Sequence, residues 1–186
     1  MILMNKFSII SSVMAALVVV ALAGSASAEL ATQGSAQVAK ELAGLKRTAS
    51  EMCYHADILN SFTPNKQLSW QSHAEKLHAL KDHVNEMGRS LEQLEAMRPM
   101  ANGTQALAIE HARPHLAAVA RNLTEAIELL NENRRNVYWG DYSEAVSDVY
   151  SHADALHGKL DAILDYEKAK GRLERMELQT RLAGQS

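Results

Sequence analysis

Residues 38–59 read VAKELAGLKRTASEMCYHADIL, and the apolar positions in that stretch decide the fold. Val38, Leu42, Leu45, Ala49, Met52, Ala56 and Leu59 alternate by four and three residues. That spacing lays one apolar stripe along a helix whose place is against other helices. The spacing predicts a first helix over 29–62, ended by Thr63-Pro64-Asn65, because proline disfavours helix in the residue before it and cannot donate a helix hydrogen bond.

The same pattern recurs three more times. Trp70, Ala74, Leu77, Leu80, Val84, Met87, Leu91 and Leu94 predict a helix over 67–97, and the run from Arg98-Pro99 to Asn102-Gly103 breaks it. Ile109, Ala112, Leu116, Val119, Ala120, Leu123, Ile127 and Leu130 predict a helix over 104–135, with Pro114 expected to kink it or mark a later start. After Val137-Tyr138-Trp139-Gly140, Asp141 reads as the N-cap of a fourth helix over 141–182. No window alternates with period two, so the class is all-α. Connections this short predict an antiparallel up-down-up-down four-helix bundle. The fourth helix outlasts its partners by about ten residues, and Leu173, Met176 and Leu182 in that overhang suggest a homodimer contact.

Residues 1–28 read as a signal peptide: Lys6, an apolar run from Phe7 to Ala23, and the small-residue site Ala26-Ser27-Ala28. Cleavage leaves one bundle domain, residues 29–186, with 18 basic against 22 acidic side chains and a formal charge of −4. The expected location is secreted, most readily periplasmic, with no membrane span after cleavage. An apolar content of 47% excludes a disordered chain, and the mild acidity gives no electrostatic footprint for nucleic acid. The single cysteine, Cys53, cannot close an internal disulfide, so it is a small residue at a helix edge or available for an intermolecular bridge.

Eight histidines are spread over all four helices. Glu75-x-x-His78 and Asp154-x-x-His157 have the spacing of di-iron carboxylate bundles, but at about 100° per residue their carboxylates fall away from the apolar stripes, as do Glu125 and Glu128. His111-x-x-x-His115 resembles the paired-histidine helix of hemerythrin-like proteins, a likeness limited to that pair. Counted from the third turn, the pair lies roughly 22–26 residues deep, too far from His55, His73 and His152 to share a centre. Those three histidines, roughly 8, 6 and 11 residues from their own turns, agree in height within about one helical turn. His55, His73 and His152 are therefore the candidate ligands of a zinc, copper or nickel ion.

Seven aromatics fall near the first and third turns, and Trp70, Tyr138, Trp139 and Tyr142 among them form the candidate patch for a protein or small ligand. Asn102-Gly103-Thr104 and Asn122-Leu123-Thr124 match the glycosylation acceptor pattern. No nucleophile–base pair, glycine-rich phosphate loop or Cys-x-x-Cys is present, so no organic cofactor and no enzyme activity are implied. The expectation is an exported, non-enzymatic bundle with a binding, structural or stress role centred on its aromatic end. The alternative is a histidine-rich metal-binding bundle. Eight imidazoles titrating near pH ~6.5 would carry the formal charge from −4 towards +4, predicting acid-dependent association.

Overall fold

A computed structural model describes the backbone of residues 11–135 and 137–184, and side chains from Gln33 onward. The signal-peptide expectation for residues 1–28 lies outside the residues whose side chains are described. Among the described residues the chain is all-helical: α1 Ser11–Phe62, α2 Trp70–Ala96, α3 Gly103–Glu132 and α4 Asp141–Ala183. A 3-10 turn, Arg98–Met100, lies between α2 and α3. No described helix is long and apolar enough to cross a membrane.

The stripes are buried as their spacing requires. All seven positions from Val38 to Leu59 are inside, facing Leu77, Leu80, Met87 and Leu94 of α2, Ile109, Val119 and Leu123 of α3, and Val149, Leu156 and Leu160 of α4. Burial of each large aliphatic side chain is worth about 1.5–3 kcal/mol, so this core is what holds the helices together. α1 and α3 each pack against both α2 and α4.

Helix ends follow local hydrogen bonding. α2 starts three residues later than the pattern predicts. The Asn65 side chain accepts from the Gln67 amide at 3.0 Å and its carbonyl from the Leu68 amide at 3.2 Å, holding a turn where a helix was expected. α3 opens with a capping box: the Asn102 side chain accepts from the Gln105 amide at 2.9 Å, and the Gln105 side chain accepts from the Asn102 amide at 3.0 Å. α3 then runs unbroken through Pro114, so the expected later start does not occur. Asp141 is not the N-cap of α4. Gly140 holds that position with φ +67°, and Asp141 with Glu144 instead place negative charge in the first turn, where the helix dipole favours it.

The first and third connections touch. Tyr138 donates its hydroxyl to the Leu68 carbonyl at 2.7 Å, and the Arg134 guanidinium lies 4.3 Å from the Trp70 ring centre. Near the far reach of α4, Gln105 binds α1 and α4 together, donating to the Ser35 carbonyl at 3.0 Å and the Glu167 carboxylate at 3.2 Å.

Candidate functional site

The three candidate ligands do not converge; each lies in a different setting. His73, one turn into α2, is wholly buried against Phe62, Tyr138 and Tyr142, with ring centres 5.7, 6.4 and 5.6 Å away. Its Nδ1 shares a 3.0 Å hydrogen bond with the Tyr142 hydroxyl, and its Nε2 is buried with no partner in the protein. Burial pushes the imidazole below its ordinary value and the Tyr142 hydroxyl well above the phenol range, so both are neutral. His55 stacks on His83 of α2 at 5.2 Å, and His152 meets His115 of α3 at 6.3 Å.

The reason is register. His83 is ten residues beyond His73 on α2, and His152 is ten beyond the His73-bonded Tyr142 on α4, each about 15 Å along a helix. His55 and His152 do share a height, since the Cys53 Sγ and the Asp154 Oδ1 two residues away lie 3.9 Å apart, but they turn to different neighbours. The separation of His115 from His152 inferred from the turns is also corrected: α3 ends at Glu132, five residues short of the assumed turn at Val137, which narrows their difference in height. Burial, Lys159, His152 and His111 together hold His115 below the ordinary imidazole value. Among the described residues no three His, Cys, Asp or Glu side chains stand where they could hold a metal ion. Glu75, Asp154, Glu125 and Glu128 are all exposed.

The aromatic end is mostly interior. Tyr142 is 3% exposed, Tyr138 and Trp70 are half-buried, and Trp139 at 64% is the member of the candidate patch that faces solvent. Hydrogen bonds to His73 and Leu68 engage the hydroxyls of Tyr142 and Tyr138, two of the four patch residues. Cys53 is half-buried, and burial together with Asp154 and Asp57 pushes its thiol up, leaving it a weak nucleophile at neutral pH.

Elsewhere, a groove of about 740 Å³ lies between α1 and α4. It exists because the facing positions are small: Ala39, Ala43 and Ser50 on α1, and Gly171 on α4, with Leu164 at its base. A volume near 300–1,000 Å³ suits a small organic ligand. Five cationic side chains line it, Lys46, Arg47, Lys168, Arg172 and Arg175, against one carboxylate, Glu167. Lys46 is bound to Asp161 and Asp165, and Lys168 to Asp165. The Glu167 Oε1 accepts from the Asn102 side chain at 2.6 Å and from Gln105 at 3.2 Å, so that carboxylate is already held by α3. Among the described residues Arg47, Arg172 and Arg175 have no ion-pair partner.

Periodicity could not have found this groove, since its signal is a lack of side chain at 39, 43 and 171. A search for small residues flanked by arginines at helical spacing would have marked it. Compared with protein families, with curated proteins and with solved structures, the chain gives no match.

Proposed function

We propose that the chain is an exported, non-enzymatic binding protein that takes its ligand into the groove between α1 and α4. Export rests on Lys6, the apolar run and the Ala26-Ser27-Ala28 site, which together describe a leader removed to leave residues 29–186. The domain is an antiparallel up-down-up-down bundle. Supporting that topology, pairings on neighbouring helices run in opposite senses: Thr48 with Glu86 and Gly34 beside Met100, Glu95 with Arg113 and Arg98 with Glu110, His115 with His152 and Gln105 with Glu167, Cys53 with Asp154 and Lys46 with Asp161.

One observation carries the binding reading: an open groove with an apolar base and three arginines left without counter-charges. Of the candidate patch Trp70, Tyr138, Trp139 and Tyr142, Trp139 alone is exposed, too little surface for a contact patch. The test is Nile red, an uncharged apolar dye whose emission rises on burial. One saturable site is expected, lost in Gly171→Leu and kept in Trp139→Ala. Loss in Trp139→Ala with no change in Gly171→Leu would move the site back to the aromatic end.

A second reading, binding of zinc, copper or nickel, draws on the one contact of His115 on α3 with His152 on α4, a pair of rings and not a formed three-ligand site. Their imidazoles are the ligand type these ions prefer, and His115 is held unprotonated at neutral pH. Ligation requires the His115 and His152 rings to turn from their present 49° tilt. Calorimetric titration with nickel tests it: heat that persists in His115→Ala counts against this site.

A further inference from the structure

We infer that the ligand of the α1–α4 groove is a single-chain amphiphile with an anionic head, a carboxylate or phosphate on an aliphatic tail. This rests on the proposed groove reading and names its ligand class.

The head follows from charge. The chain as a whole carries a formal charge of −3, yet the lining of this groove is cationic. Of the carboxylates at its edge, Asp161 and Asp165 hold the lysines, and Glu167 is bound by the amides of Asn102 and Gln105 and not by an arginine. Arg47 on one wall and Arg172 and Arg175 on the other retain their guanidinium donors, which bind carboxylate and phosphate oxygens two at a time. A guanidinium is also less strongly hydrated than an ammonium, so it pairs well beside an apolar surface.

The tail follows from the base and its continuation. Leu164 and Gly171 are seven residues apart on α4, and the same helical face continues to Leu178, seven residues further, and to Leu182. Leu178 and Leu182 are exposed at 57% and 60%, so two unburied leucines stand beyond the groove on that face, past Arg175. A small hydrophilic anion would use the arginines and leave those leucines uncovered.

The probes are dodecanoate, dodecyl phosphate, monolaurin, dodecyltrimethylammonium and inorganic phosphate, each titrated into the purified chain below any micelle concentration. The structure predicts saturable one-site binding of dodecanoate and dodecyl phosphate, at least tenfold weaker in Arg47→Gln/Arg175→Gln, and none of the cationic amphiphile. Gly171→Leu fills the groove without altering charge. A Cβ there meets nothing closer than the Arg175 Nη1 at 3.6 Å, so the branch point fits without a clash; an unchanged helical circular dichroism spectrum checks the fold, and the variant is expected to abolish binding of both anionic probes. Equal binding of monolaurin, unaffected by the arginine changes, would overturn the anionic class and leave the groove reading standing. Inorganic phosphate binding as tightly as dodecyl phosphate would overturn the tail. If no amphiphile binds and Nile red shows no site, the groove reading fails with it.

Discussion

Gln105 donates to the Glu167 carboxylate across 3.2 Å, tying to α3 the one carboxylate that lines the α1–α4 groove. Gln105 is buried, and its carbonyl oxygen also accepts from Ser35 and from the Asn102 amide. Glu167 is thereby held by α3 and forms no ion pair with Arg47, Arg172 or Arg175.

Replacing Gln105 should therefore have two effects. Gln105→Ala leaves the Asn102 amide without its capping acceptor and Glu167 short of a donor, a loss of about 1–3 kcal/mol in urea denaturation. It also frees Glu167 to pair with the groove arginines, so anionic probes should bind more weakly than to the unaltered chain. Stability within ~0.5 kcal/mol of the parent would show that the network contributes nothing.

At Gly140 the backbone has φ +67°, which an L side chain adopts at a cost of roughly 1–2 kcal/mol. Gly140→Ala should lower the melting temperature. Gly88 and Gly158 lie inside helices with nothing within 4 Å of an added Cβ, so Gly88→Ala and Gly158→Ala should each raise stability by about 0.5–1 kcal/mol. Melting curves of the three variants suffice. Equal effects of the same sign at all three sites would be inconsistent with these backbones.

Between α2 and α4, Tyr142→Phe removes the one partner of His73 Nδ1 and leaves both ring nitrogens buried and unbonded. A loss of about 1–3 kcal/mol is expected from chemical denaturation. Trp139→Ala, at an exposed position, should stay within about 0.5 kcal/mol of the parent.

Acid should destabilise the fold. Burial is the leading cause that lowers the imidazole pKa of His55, His73 and His115 in the folded state. Below the unfolded value near ~6.5 the unfolded chain takes up protons that the folded chain refuses, so stability falls as pH drops from there towards the lowered folded values. It is fully present above that range. These three groups also mean that the charge swing expected from eight freely titrating histidines is delayed to lower pH. Melting temperature followed from neutral to mildly acidic pH tests this: His73→Met should flatten the acid limb, and an acid limb as steep as the parent's would assign it to other groups.

How much of this was legible from residue order differs by feature. Val38 to Leu59, Leu77 to Leu94 and Val149 to Leu160 announce their burial because large apolar side chains at helical spacing have one place to go. Helix ends were less legible: Asn65, Asn102 and Gly140 act through single hydrogen bonds or one dihedral angle that periodicity does not carry. The histidines were half legible. Spacing gave the depth of His55 and His152, but pairing with His83 and His115 depends on which neighbour each helix edge meets. The groove was not legible, because Ala39, Ala43 and Gly171 mark it by what they lack.

The most direct test of the groove is photolabelling with a diazirine-bearing dodecanoate, followed by mapping of the labelled peptides by mass spectrometry. Label confined to residues 39–50 of α1 and 157–182 of α4, and lost in Gly171→Leu, is the predicted result. Label on residues 137–142, persisting in Gly171→Leu, would contradict it and return the binding site to the aromatic end.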